Sequence, residues 1–211
     1  EKLRPEYFRR MDESDDADFY DQPRLVTHID DPACAALNDY FRNQFPADNE
    51  LLDLMSSCVS HLPDDHGYKN VIGLGMNEVE LRENPQLTDF VIHNLSTNPK
   101  LPFDENSFDA CIITVSVQYL VYPISVFKEI ARVLRSNCPC IISFSNRCFP
   151  TKAIAIWHQL SDEGHAQLVG HYFDASKSYK PYGIVDLSPK GGHTDPLYIV
   201  HANTKAGICV N

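Results

Sequence analysis

Four short polar clusters carry residue types from which a binding site could be built: Ser56-Ser57-Cys58-Val59-Ser60-His61, Gly75-Met76-Asn77-Glu78, Asn94-Leu95 and Ser116-Val117-Gln118-Tyr119. Each directly follows an apolar run. Small residues let a ligand approach backbone amides and a helix N-terminus. A polar side chain after the second run can bond ribose hydroxyls, and one after the third can bond an adenine edge. Ser and Asn also populate turns and helix caps for purely local reasons, so one such cluster says little. Four in phase point to a nucleoside-containing ligand. His61 and Tyr119 lie in these clusters as candidate general bases, and His28, in Arg24-Leu25-Val26-Thr27-His28-Ile29-Asp30, could join them from the N-terminal side. An imidazole has the suitable unperturbed pKa, although a single histidine is as readily a hydrogen-bonded structural residue.

The elements that must position these clusters follow from periodicity. Leu51–Met55, Val71–Leu74, Phe90–His93, Phe108–Val115 and Cys140–Phe144 are apolar runs of four to eight residues without period-2 polarity. Such runs suit strands covered on both faces of a parallel sheet. Ala33, Ala36, Leu37, Tyr40 and Phe41 repeat at helical spacing over Asp31–Phe45, and Ser125–Arg135 shows the same pattern with its charges outward. Pro150–Leu160 reads as another helix, and Ser161 as the N-cap of a helix through Val169, Tyr172 and Phe173. Tyr182–Leu187 and Leu197–Ala202 read as two closing strands, joined through the turn-forming Ser188-Pro189-Lys190-Gly191-Gly192. Five β–α alternations with two closing strands predict an α/β three-layer sandwich with a Rossmann-like, doubly wound, mostly parallel seven-stranded sheet and an antiparallel closing strand. In such sheets the ligand lies beyond the carboxyl ends of the strands, where the four clusters fall.

Composition narrows the function. The 211 residues carry 18 Lys plus Arg against 29 Asp plus Glu, a net charge of −11. An acidic chain has no general affinity for phosphate backbones or anionic membranes, so a nucleic-acid partner is not expected. No apolar stretch approaches the roughly 20 residues that span a bilayer. Seven scattered cysteines (Cys34, Cys58, Cys111, Cys138, Cys140, Cys148 and Cys209) suit free thiols in a reducing compartment. The expected location is intracellular, cytoplasmic first, with an organelle left open because the chain starts without Met. Cys138, Cys140, Cys148 and His158 lack the paired spacing of a zinc site, so no metal is expected.

Leu101-Pro102-Phe103-Asp104-Glu105-Asn106-Ser107-Phe108-Asp109 resembles the "LPF-(D/E)-x-(N/G)-S-F-D" segment of class I S-adenosylmethionine-dependent methyltransferases, in particular the methyltransferase type 11 group. Phe127-Lys128-Glu129-Ile130-Ala131-Arg132-Val133-Leu134 resembles the "E-x-x-R-V-L" helix that follows it there. Asp53-Leu54-Met55-Ser56-Ser57, Ser60-His61-Leu62-Pro63, Gly73-Leu74-Gly75-Met76-Asn77 and Ser143-Phe144-Ser145-Asn146-Arg147 are similar to a subgroup without an assigned acceptor. The resemblance covers roughly residues 20–203. It implies S-adenosylmethionine as cofactor, S-adenosylhomocysteine as product and methyl transfer to an acceptor, a small molecule being the first expectation. By the same resemblance Asp53, Ser56, Ser57, Cys58, Gly75, Met76, Asn77, Asn94, Leu95, Ser116 and Val117 hold the cofactor. Departures from the family pattern are evident. Ser56-Ser57-Cys58-Val59-Ser60 stands for the glycine loop, Asn77 is the nearest candidate for the ribose acid, and Asn94 replaces an Asp facing adenine.

These departures keep a rival open, a non-catalytic methyltransferase-fold scaffold with a degenerate cofactor site. A nicotinamide-dependent oxidoreductase is disfavoured because no G-x-G-x-x-G follows any strand. Residues 1–30 are expected to form an N-terminal arm ahead of a methyltransferase domain over 31–211. The arm holds Tyr7, Phe8, Phe19 and Tyr20 among acids and reads as a lid, with Arg24 or His28 reaching the methionyl carboxylate. Its terminal, Asp-rich character equally permits a loose tail.

Overall fold

A computed structural model describes residues 3–191 and 193–206. The apolar runs become strands β1 (Glu50–Leu54), β2 (Asn70–Gly75), β3 (Asp89–Ile92), β4 (Ala110–Thr114) and β5 (Pro139–Phe144), followed by β6 (Gly183–Asp186) and β7 (Tyr198–Asn203). They form one sheet in the order β3-β2-β1-β4-β5-β7-β6. β1 to β5 pair in parallel, while β7 runs antiparallel to both β5 and β6. The chain reverses its direction of travel across the sheet between β3 and β4, so the switch point lies between β1 and β4.

Both faces of the sheet are covered, in agreement with the three-layer expectation. On one face, α2 (Asp31–Gln44) packs Ala33, Leu37 and Phe41 on Leu51, Val71, Ile112 and Ile141. On the other, α4 (Pro123–Val133) and α5 (Asp162–Ser176) pack Val126, Phe127, Ile130, Val169 and Tyr172 on Leu52, Cys111, Ile113 and Ile142. Asp30 caps α2 through the Ala33 amide, and Ser161 caps α5 through the Gly164 amide. The first short helix, α1 (Asp16–Phe19), lies in the N-terminal arm, and α3 (Glu78–Arg82) follows β2.

The five predicted β–α alternations are not all present. Residues 55–69 between β1 and β2 and residues 93–109 between β3 and β4 contain no helix. The second of these segments is the "LPF" stretch, and α4 holds it directly. Arg132 donates to the Phe103 and Leu101 carbonyls (2.9 and 3.0 Å) and to Glu129 (2.7 Å), while Glu129 accepts the Leu101 amide (2.9 Å). The "E-x-x-R" pair therefore fixes the approach to β4. The helix expected over Pro150–Leu160 is also absent, apart from a single 3-10 turn at Trp157–Gln159. The Ala155 and Ile156 amides pair with the Arg9 and Tyr7 carbonyls, which withdraws them from helical bonding.

The arm is docked along this stretch. Asp16 accepts from Arg10 at 2.7 Å and lies 3.3 Å from the Lys152 ammonium, whose side chain is fully buried. Lys152 also donates to the Ser14 carbonyl (2.9 Å), and the Ser96 hydroxyl donates to Asp16 (2.5 Å).

Close approach of the strand ends makes one glycine necessary. A Cβ on Gly75 would lie 2.4 Å from the Ser56 carbonyl oxygen, a backbone atom that cannot rotate away. Gly75→Ala should therefore destabilise the fold by about 1–3 kcal/mol through overpacking. Urea denaturation checks this, and an unchanged midpoint would mean that the β1 and β2 ends are not pressed together.

Candidate functional site

At the carboxyl ends of β1, β2 and β4 lies a cavity of about 370 Å³. Its walls hold residues from every predicted cluster and from the arm, a size and position typical of small-molecule sites in open α/β sheets. Asp53, Ser56, Ser57, Gly75, Met76, Asn77, Asn94, Leu95 and Ser116 line it, as do Arg24, His28, His61 and Tyr119. Two expected residues do not. Cys58 turns its thiol to the Arg24 and Val26 carbonyls, and Val117 is fully buried beneath the cavity wall.

The strand ends are bent to make this space. Met55, after β1, and Val115, after β4, have φ of 60° and 51°, and His61 has 58°. A positive φ is costly for a bulky or β-branched residue and tends to collect at functional sites. All three residues line the cavity. The other non-glycine residues with positive φ (Asp48, Asn106, Asn137 and Lys177) do not. Thr114 and Ser116, which flank Val115, also line the cavity, and each has a buried hydroxyl oxygen with no hydrogen-bond partner among the described residues.

The acids are arranged differently from the sequence expectation. Asp53 is buried and its Oδ2 accepts from the Ser56 hydroxyl (2.5 Å) and the Ser60 hydroxyl (2.6 Å). Burial pushes its pKa up to about 6, with the two hydroxyls opposing the rise. Asn77 is engaged within the protein at both ends of its amide. Its Nδ2 donates to the Tyr20 and Asp21 carbonyls (2.8 and 3.0 Å), and its Oδ1 caps α3 through the Glu80 amide. The acid facing the cavity beside β2 is instead Glu80, which accepts the Arg24 amide and the Ser57 hydroxyl, both at 2.7 Å. In sequence Glu80 reads as the fourth residue of an N-terminal capping pattern; only its partners 56 and 23 positions away reveal another role. Asn94 donates to Asp15 of the arm (3.2 Å).

The candidate bases separate by environment. Tyr119 accepts the Phe149 amide at 2.8 Å, and burial pushes its pKa up to about 12, so it keeps its proton at neutral pH. Burial lowers His61 to about 4, with His28 beside it adding to the shift, and burial lowers His28 as well. Both imidazoles are neutral at pH 7 and are weaker bases than a free imidazole. Tyr20, expected as a lid aromatic, and Arg147, from the motif after β5, also line the cavity, as do Asp16, Thr27, His93, Cys148 and Phe149, which were not singled out as site residues.

A family model for a methyltransferase domain matches residues 56–142, less than half of the chain. The fold is that of the class I S-adenosylmethionine-dependent methyltransferases. Solved structures agree in fold at low identity. The [4+2]-cyclase SpnF is 15% identical with a TM-score of 0.60, over 81% of each chain. A methyltransferase from Thermotoga maritima described as a possible histamine N-methyltransferase is 13% identical with a TM-score of 0.59, over 82% of this chain and 90% of that one. A Mesorhizobium loti S-adenosylmethionine-dependent methyltransferase is 13% identical with a TM-score of 0.56, over 80% of this chain and 97% of that one. No curated protein matches the sequence. The described residues contain no cluster of three or more His, Cys, Asp or Glu able to hold a metal, and no helix long and apolar enough to cross a membrane. The six cysteines among the described residues are free thiols; Cys209 lies outside them.

Asp53 gives a measurable pH signature. An unfolded carboxyl ionises near 3.8, whereas the folded one keeps its proton to about 6. Across that window the unfolded state loses its proton first, so this group lowers stability as pH rises. Asp53→Asn keeps an oxygen for Ser56 and Ser60 and removes the charge. Relative to the parent it should gain stability on the order of 2–3 kcal/mol between pH about 4 and 7. Parallel melting curves for the two proteins would contradict a buried, proton-retaining Asp53.

Proposed function

We propose that this chain binds S-adenosylmethionine across the ends of β1, β2 and β4 and transfers its methyl group to a small-molecule acceptor. The observation that carries this reading is the cavity at the switch point, lined from β4 by Thr114 and Ser116, whose buried hydroxyls have no hydrogen-bond partner among the described residues. A buried hydroxyl without a partner is costly unless a ligand completes it. Ser56 and Ser57 keep the β1 loop small enough for close approach, and Asp53 lies behind them. Glu80 takes the place of the ribose acid that Gly75 cannot be, since a side chain at position 75 has no room. Gly75, Met76, Asn94 and Leu95 line the remaining base-binding wall, and Arg24 with His28 roofs the site from the arm.

Bound S-adenosylmethionine supplies an activated methyl group, so the protein needs no nucleophile of its own. Its tasks are alignment, exclusion of water and removal of one proton. The arm excludes water as a lid, held by the Lys152–Asp16–Arg10 cluster. His61 and His28 supply the ring nitrogens in the cavity that would take the acceptor proton, and burial makes each a weaker base than a free imidazole. Tyr119 serves as an apolar wall, not as the base.

A scaffold without chemistry remains the second reading. It is favoured by Asn77, Glu80 and Ser57 already being bonded within the protein. Calorimetry with S-adenosylhomocysteine separates the two. Saturable binding is expected, and no heat at millimolar ligand would favour the scaffold. Thr114→Val and Ser116→Ala should each leave the melting temperature unchanged or higher while weakening binding by about 3–10-fold, the worth of one neutral hydrogen bond.

A further inference from the structure

We infer that the acceptor is a small organic acid with a flat apolar body, and that Arg147 on the loop after β5 anchors its carboxylate. This deepens the methyltransferase reading and rests on it. Arg147 lines the cavity and is 63% exposed, at the mouth. Its Nε is held by both oxygens of Asp195 (3.0 and 3.2 Å). Asp195 in turn exchanges two hydrogen bonds with Asp30 at the start of α2: its carboxylate accepts the Asp30 amide (3.0 Å) and its own amide donates to Asp30 (2.7 Å). The guanidinium is thus held through Nε, and neither terminal nitrogen has a hydrogen-bond partner among the described residues. A fixed fork of this kind matches a carboxylate.

The second cation at this end is Arg24. Its guanidinium donates to the Gln22 and Phe19 carbonyls and lies 5.1 Å from the Phe149 ring centre. Among the described residues no carboxylate pairs with it. Arg24 and Arg147 both line the cavity. The cavity acids are engaged within the protein: Asp53 with two serines, Glu80 with Ser57 and the Arg24 amide, and Asp16 with Arg10 and Lys152. Between the two cations the walls are aromatic. Phe149 stacks on Tyr119 (5.8 Å, 25°) and meets the His28 ring edge-on (5.5 Å, 81°), with Tyr20 on the arm side. Flat edges and two guanidinium groups favour a planar acid over a sugar, a polyamine or a cationic side chain. His28 and His61, both neutral, are placed to take the proton of a hydroxyl or amine elsewhere on the same molecule. In that step the acceptor's heteroatom bonds the methyl carbon, the carbon–sulfur bond breaks with its electrons going to sulfur, and the displaced proton goes to imidazole.

The test uses matched probes, 4-hydroxybenzoate with 4-hydroxybenzamide and indole-3-acetate with indole-3-acetamide, titrated into the full chain saturated with S-adenosylhomocysteine. At least one acid should bind about 10-fold or more tighter than its amide, the range of a charge-assisted pair. Arg147→Ala should bring the two within about twofold, with Arg147→Lys intermediate, because Lys offers a point charge without the fork. S-adenosylhomocysteine affinity should be the same in all three proteins. Equal binding of acids and amides, no binding of any probe at millimolar concentration, or a preference that survives Arg147→Ala would overturn the inference while leaving the cofactor reading standing. Failure of S-adenosylhomocysteine itself to bind would overturn both.

Discussion

The carboxylate of Asp16, buried between the Arg10 guanidinium and the Lys152 ammonium, decides where the N-terminal arm lies. Lys152 is fully enclosed, and a buried ammonium that loses its partner costs several kcal/mol. The arm therefore cannot lift away without leaving an unpaired charge in the loop after β5. Ser96, after β3, adds its hydroxyl to the same carboxylate, so three separate segments meet at one group. Charge pairing, with backbone bonds from Asp12, Ala155 and Ile156, turns an acidic terminal stretch into a wall of the cavity.

From that placement the polar chemistry of the cavity follows. Tyr20, Arg24, Thr27 and His28 reach the cavity because the arm is docked, and Asn77 and Glu80 are spent in part on holding it. Roof and floor are thus bonded to each other through the residues nearest β2. On the β1 and β4 sides, Met55, His61 and Val115 line the cavity in the left-handed region, and Thr114 and Ser116 flank Val115 with buried hydroxyls that have no partner among the described residues.

The strands were legible because a doubly covered sheet needs continuous apolar runs, and β1 to β5 show them without ambiguity. The caps at Asp30 and Ser161 are local and were equally readable. Misreadings arose where a residue's partner is distant in sequence. The Pro150–Leu160 pattern has helical composition, yet its amides are taken by Arg9 and Tyr7. Asn77 has the right type for a ribose ligand, but its amide is claimed by carbonyls more than 50 residues earlier. The β1–β2 and β3–β4 connections lack helices, a fact concealed by the family resemblance rather than by the residues. Arg147 and Asp16 belong to no periodic pattern, so only the folded chain shows what they face.

The central claim is that the arm and the strand ends form one ligand site, closed by contacts that a bound nucleoside reinforces. Hydrogen exchange read by mass spectrometry over residues 9–28 and 55–61, with and without saturating S-adenosylhomocysteine, tests it most directly. Exchange in both segments should slow together on adding ligand, because Glu80, Ser57 and the Arg24 amide link them. Fast exchange of residues 9–28 that is identical with and without ligand would show a passive tail and contradict the account.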